Sequence, residues 1–201
     1  MIHPHTELRF ISEEKGIGVV ATQFIPKGTI TWAFDPVDQV FTPAQIHDMT
    51  PLFRNFIDKY AYRDQEGNYV LCWDHGRFVN HSYHSNCMST AYNFEIAIRD
   101  IYPGEELTDD YGYLNLPEPF HAPQEAGSDR TAVYPDDLLR YYKLWDSQLK
   151  SAFTRFNLVP QLLSELIDVK YQDKIRLVAA GEAEMDSILN CYYDPEKRKA
   201  A

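Results

Sequence analysis

Gly76-Arg77-Phe78-Val79-Asn80-His81-Ser82-Tyr83-His84-Ser85-Asn86-Cys87 is the stretch on which the reading of this chain turns. It follows Tyr69-Val70-Leu71-Cys72-Trp73, which has the composition of a strand. So dense a run of amide, imidazole and hydroxyl groups has two plain explanations. The side chains satisfy backbone groups of a loop, or they hold a metal. Cys72 with His75, and His81 with His84 and Cys87, have ligand-like spacings. The metal explanation is the weaker. Residues three apart on a strand face opposite sides, and neither half has the spacing of a complete site.

Upstream lies Lys15-Gly16-Ile17-Gly18-Val19. It lacks the third glycine of a dinucleotide fingerprint and leads into the strand-like Val19-Val20-Ala21 rather than a helix. It is either a tight turn or a place where bare backbone lies against a small ligand. Pro26-Lys27-Gly28 predicts a turn, followed by a strand through Trp32. Thr42-Pro43-Ala44-Gln45 carries a cap, a proline at the first helical position and a glutamine three residues after the cap. Thr50-Pro51 repeats the cap and proline, so two short helices are expected over 43–60, broken near Met49.

Downstream, Phe94, Ile96 and Ile98 recur at period two, the pattern of a half-buried strand. Then comes Gly104-Glu105-Glu106-Leu107-Thr108-Asp109-Asp110-Tyr111-Gly112-Tyr113, a turn, a short strand and an acidic, aromatic end. Taken alone, its tyrosines suit a core or a surface better than chemistry. The segment from Ile25 to Thr31 echoes the one from Ile101 to Thr108: each is a strand, a Pro/Gly turn and a returning strand.

Residues 115–134 are rich in proline and acids and predict a loop or linker. After Pro135 the pattern becomes helical, with Leu138, Trp145, Leu149, Ala152, Phe153 and Phe156 at spacings of three and four. A second helix is expected from Pro160 to about Val169. A third is expected over 172–193, with Ile175, Val178, Met185, Ile188 and Tyr192 on one face. Lys197-Arg198-Lys199 reads as a solvated tail.

The 201 residues suffice for one domain with an appendage. Hydrophobic residues at 44% and charged residues at 24% argue against wholesale disorder. The net charge of −11 excludes an ordinary nucleic-acid grip and suits a cationic partner. Three cysteines make no fully paired disulfide framework, and the N-terminus has no signal-peptide pattern. No run approaches the ~18 apolar residues of a membrane span. The expectation is a soluble protein of a reducing compartment, the cytoplasm or, in a eukaryote, the nucleus, with no direct contact to nucleic acid or membrane.

Taken in order, KGIGVVA with its IPKGT turn, RFVNHSYHSN and PGEELTDDYGY resemble the SET-domain protein lysine methyltransferases over about residues 5–114. The resemblance implies an α+β chain: a SET-type fold of short β-sheets (a β-clip) with a knot-like core, followed by a helical C-terminal region. It divides the chain into a SET domain over 1–114 with 43–60 as a helical insert, a linker over 115–134 and helices over 135–201. It implies S-adenosylmethionine on one side of the core and a target lysine entering from the other. Tyr111 matches the family's catalytic tyrosine. Lys15, Gly16, Ile17 and Gly18 would contact the methionine part of the cofactor. Asn80 would bind the same part, His81 would pair with the adenine through its backbone, and Tyr113 would wall the cofactor site. Asp109, Phe78, Tyr60 and Tyr62 fall at substrate-side positions. The substrate implied is a basic protein or peptide such as a histone-like tail.

Two departures bear on that expectation. Tyr83 stands where many relatives have a zinc-binding cysteine, Ser85 where they have proline, and no CxC follows residue 112, so no metal is expected. Asp109 stands where the family usually has Phe or Tyr. A carboxylate there favours an ammonium over an amine, so an altered product degree or an unusual or lost activity is expected. The alternatives are a SET-fold peptide-binding module without catalysis and a metal-binding protein built on the His/Cys cluster. The amphipathic C-terminal helices also offer an interface for a homodimer.

Overall fold

The computed structural model describes residues 1–195, and the basic Lys197-Arg198-Lys199 lies outside them. In the first half, β1 (Thr6–Ser12), β2 (Gly16–Ala21), β3 (Ile30–Ala33) and β4 (Gln39–Phe41) precede α1 (Pro43–Asp48) and α2 (Pro51–Tyr60). Next come β5 (Tyr62–Arg63), β6 (Tyr69–Leu71), β7 (Asn80–His81), β8 (Cys87–Ser89), β9 (Phe94–Ala97) and β10 (Glu106–Asp109). A small hairpin, β11 (Phe120–His121) and β12 (Ala132–Val133), leads to α3 (Asp137–Phe156) and α4 (Val169–Ala179). The chain is thus α+β, built of short sheets with orders β1-β2-β10-β7, β3-β9-β8, β4-β6-β5 and β11-β12.

The local signals that held are those whose partners lie nearby. Thr42 closes a reciprocal cap with Gln45, and α1 stops at Met49 as expected. Gly28 and Gly104 take φ of +93° and +87° in their Pro/Gly turns. The two echoing segments meet: the backbones of Ile25 and Ile101 exchange hydrogen bonds of 2.9 Å in both directions. Gly16-Ile17-Gly18 differs from a plain tight turn. The turn is made before it, and β2 already runs through both glycines.

The C-terminal expectations need correction. The residues after Pro160 form only a 3-10 turn at Ser164–Leu166, and the next helix starts at Val169, where the Asp168 side chain caps Lys170 N–H. That helix ends at Ala179, Gly181 has φ +74°, and Ile188–Cys191 is a separate 3-10 turn. Ile175, Val178 and Ile188 are nonetheless all buried, although no single helix carries them. The linker contains the hairpin β11–β12 that its composition did not announce.

Two apolar clusters hold the chain. One joins Ile2, Val19, Ile25, Trp32, Cys72, Cys87 and Leu107 beneath β2 and β10. The other packs α3 and α4, through Trp145, Leu149, Phe153, Ile175 and Val178, onto Ile30, Tyr92, Phe94 and Tyr113. One apolar face of α3 and α4 is therefore taken up by the chain's own sheet, while Leu139, Leu144 and Val169 stay exposed. The deeply buried aromatics of the second cluster each contribute on the order of 2–3 kcal/mol.

Candidate active site

β10 is the spine of the site. Glu106 and Leu107 pair antiparallel with Val20 and Val19 of β2, while Thr108 and Asp109 pair in parallel with Asn80 and His81 of β7. The Asn-His stretch and the Tyr segment thereby interlock. Ser82 N–H donates to the Asp109 carbonyl at 2.9 Å, Thr108 N–H to Asn86 Oδ1 at 2.9 Å, and Asn86 Nδ2 to the Glu106 carbonyl at 2.8 Å. Tyr111 N–H donates to His81 Nδ1 at 3.2 Å. Two stretches thirty residues apart in sequence are held as one body.

On one side of this spine the glycine segment meets Asn80. The Asn80 amide donates to the Ile17 carbonyl at 3.1 Å and to Glu106 Oε1 at 2.8 Å. Lys15 Nζ lies 3.0 Å from Glu106 Oε2. At Gly18 a Cβ would collide with Glu106 Oε1 and stand 2.8 Å from Asn80 Nδ2, so only glycine admits these groups. Gly16 has φ +75°, a conformation that glycine adopts without strain. Lys15, Gly16, Ile17, Gly18 and Asn80 thus form one cluster, tied by Glu106, which sequence reasoning missed.

His81 sits beside it, buried, with burial lowering its pKa. Because Nδ1 accepts from Tyr111, the neutral ring carries its proton on Nε2. That atom is buried without a partner in the chain. Tyr83, Tyr111 and Phe120 surround the ring at centroid distances of 4.4, 5.3 and 5.6 Å. Phe120 belongs to the unexpected hairpin, so the linker, not the helices, closes over this corner.

On the other side of β10 is a cavity of about 560 Å³. Tyr60, Tyr62, Trp32, Val79, Asp109 and Tyr111 line it, and Asp58, Lys59 and Glu118 reach it from α2 and the linker. The Tyr111 hydroxyl donates to the Val79 carbonyl at 2.9 Å, one residue from Asn80. Burial raises the Tyr111 pKa, so the group stays a phenol at any ordinary pH. The cavity and the Asn80 cluster therefore approach each other across the 79–80 peptide.

Two expected site residues take other positions. Phe78 does not line the cavity; it packs edge-on behind Tyr60 at 5.5 Å. Tyr113, assigned to the cofactor wall, is only 2% exposed, with its ring against Trp145 of α3. Its hydroxyl accepts from Asp110 N–H and lies 2.9 Å from both the Cys87 carbonyl and Asp109 Oδ1. Tyr113 braces Asp109, and what it lines is a smaller cavity beside Glu95. The physical reason is α3, whose apolar face covers that side.

Asp109 itself lines the cavity with Glu95, which sequence reasoning also missed. Glu95 lies between Phe94 and Ile96, where period two predicts a solvent-facing side chain. β9 instead turns Glu95 onto the cavity wall beside Asp109, half-buried, where it accepts from Ser89 Oγ at 3.2 Å. Burial pushes the Asp109 pKa up to about 6, against the hydrogen bonds from Tyr113 and Glu95 that lower it. Burial and then the neighbouring Asp109 charge push Glu95 well above the carboxylate range. The two share protons as a pair.

This pair has a consequence for stability. A carboxyl whose pKa is raised by folding costs nothing below its unfolded value near 4. The cost grows as pH rises to the folded value near 6 and is complete above it. Asp109→Asn, which removes the titration, is expected to stabilise the fold by up to about 3 kcal/mol near pH 8 and by almost nothing near pH 4. Urea melts across that range check it, and an equal effect at both ends contradicts it.

The Cys and His residues of 72–87 do not converge. Cys72 and Cys87 are buried in the core, with burial raising both thiols, and His84 Nε2 lies 2.9 Å from the Ala126 carbonyl. Among the described residues no three of His, Cys, Asp or Glu group as metal ligands.

The family model for the SET domain matches residues 16–112. The span runs from the first glycine of β2 to the glycine after Tyr111, the same segments that β10 brings together. The segment from Gly16 to Gly112 is thus similar to the SET domain, whose family generally comprises methyltransferases. No curated protein matches the chain.

Proposed function

We propose that the chain is an S-adenosylmethionine-dependent protein-lysine N-methyltransferase acting on a basic protein or peptide. The observation that carries this reading is the single hydrogen bond by which Tyr111, on the aromatic cavity, grips the peptide next to Asn80, in the glycine-lined cluster. Two reactants entering from opposite sides would meet there.

The residues present fit the cofactor. The unpartnered His81 Nε2–H is a donor awaiting an acceptor. Lys15, Glu106 and Asn80 offer the positive, negative and amide groups that an amino-acid headgroup pairs with, beside the backbone of Gly16 to Gly18. When bound, the cofactor supplies an electrophilic methyl group on a positive sulfonium. Everything else falls to the chain. A lysine has a pKa of ~10.4 and must react as an amine. Tyr60, Tyr62 and Trp32 replace water along its path and disfavour the ammonium. Tyr111 aligns the reacting atoms, and such alignment can supply ~7–11 kcal/mol. The net charge of −11 and the acids Asp58 and Glu118 at the cavity favour a cationic substrate.

The test is calorimetry with S-adenosylmethionine, then tritium transfer to mixed basic proteins with mass spectrometry of the labelled peptides. Saturable binding and label on lysine are expected. Binding with no transfer to any extract would replace this reading with the peptide-binding module, which the acid pair at the cavity's end favours. No binding at all would remove both the cofactor and the reaction.

A further inference from the structure

Glu95 stands where two cavities meet. The large one ends on Trp32, Tyr62, Glu95 and Asp109, beside Tyr111. A second, of about 60 Å³, shares Trp32, Tyr62 and Glu95 with it and runs toward Asp64, Gln65 and Asn93. That is room for a few water molecules among polar groups. Trp32 lines both cavities, and its Nε1 is buried without a partner among the described residues, near Gly76 of the larger one. The inner end of the larger cavity is thus an aromatic sleeve closed by two carboxyl groups, with a small cavity behind them large enough for water.

Arg77 on the larger cavity and Arg63 on the smaller are engaged elsewhere, Arg77 with the carbonyls of Cys72, Trp73 and Asp74 and Arg63 with the rings of Tyr69 and Tyr193. The neighbours of the carboxyl pair are Ser89 and Cys87 from β8, Tyr62 from β5, Cys72 after β6, and Tyr111, Tyr113 and Asp110 after β10. Asp64 lies at the far end of the small cavity. The Met1 amino group also acts on Glu95, and it pairs with Asp35 at 2.8 Å. A charge carried by the pair is therefore left for a cation arriving through the larger cavity.

We infer that Glu95 and Asp109 are the proton acceptor of the reaction, taking a proton from the substrate ammonium and releasing it to water in the smaller cavity. This rests on the lysine methyltransferase reading above. In the step an N–H bond of the ammonium breaks and an O–H bond of the carboxyl pair forms. The nitrogen keeps the electron pair with which it then attacks the methyl group. The pair loses that proton to water before the next turnover, and no oxidant, reductant or metal takes part. Burial and the neighbouring charge hold Glu95 toward its protonated form, which leaves Asp109 as the member able to take up a proton. The aspartate that seemed to oppose deprotonation by favouring an ammonium becomes the group that carries deprotonation out.

The experiment is the pH profile of methyl transfer to mixed basic proteins for wild type, Glu95→Gln, Asp109→Asn and the double variant. Cofactor affinity by calorimetry and melting temperature are measured on each. The double variant is expected to lose about 10²-fold in rate or more near neutral pH. It should regain most of that loss near pH 10, where the free amine becomes abundant in solution. Asp109→Asn should lose rate while melting higher, a combination that a merely structural role does not give. Profiles parallel to wild type at undiminished rates overturn the inference while the methyltransferase reading stands. No transfer by wild type overturns both.

Discussion

Tyr111→Phe is expected to bind S-adenosylmethionine as wild type does and to transfer methyl groups at about a hundredth of its rate or less. The hydroxyl donates its proton to the Val79 carbonyl, which leaves its lone pairs free for the cavity it lines. Burial keeps it a phenol, so it cannot be the base, and its contribution is alignment. Removing it costs one hydrogen bond, about 1 kcal/mol of stability, which would hardly move the melting temperature. The affinity–rate split is therefore the informative measurement. Unchanged transfer would remove Tyr111 from the reaction. A parallel fall in cofactor affinity would move it to the binding side of the site.

The difference between Tyr111 and Glu95 shows what the sequence could and could not carry. Tyr111, Asn80 and Gly18 sit in short motifs whose order along the chain was enough to suggest their meeting. The caps at Thr42 and Thr50 were legible because their signals lie within three residues, although only Thr42 bonds through its side chain. Glu95 was read as a solvent-facing residue because alternation reports two faces and cannot tell that one of them lines a cavity. Its place there depends on Trp32 and Tyr62, which arrive from other strands. The apolar residues after Pro160 kept a helical spacing while the backbone did not keep a helix. Burial against α3 selects where a side chain points, not the conformation that delivers it. Tyr113 was misplaced for a related reason: the motif located it beside the site, and only the docking of α3 decided which way it faces.

Arg130 is the strongest case of a residue invisible in sequence, and its removal carries the largest expected loss of stability. It lies in the linker, in a stretch with no period and no motif. Its guanidinium bonds both oxygens of Asp110 and reaches Asp137 Oδ2 at 2.7 Å. Tyr83 and Tyr141 lie over it, each with its ring centroid at 4.7 Å. The two aspartate side chains are 3% and 1% exposed. Asp137 is in the first turn of α3, and Asp110 accepts Gly112 N–H in the turn that holds Tyr111. One cation thus fastens the helical region to the residue next to Tyr111. Arg130→Met keeps the apolar stem but leaves two buried carboxylates facing each other, a change that costs about 3–5 kcal/mol. Burial already raises the Asp137 pKa, and without the guanidinium beside it that carboxyl folds more readily protonated. The deficit is therefore expected to be largest near pH 8 and to shrink as pH falls toward 5. Adding Asp110→Asn and Asp137→Asn should restore much of it at high pH, since no charge is then stranded. Urea melts at the two pH values measure this directly. A loss below about 1 kcal/mol would mean that the network behaves as a solvent-exposed pair. A full loss with transfer activity intact in the surviving folded fraction would mean that Tyr111 is held by β10 and β7 alone, and that the linker's arginine fastens the helices without reaching the chemistry.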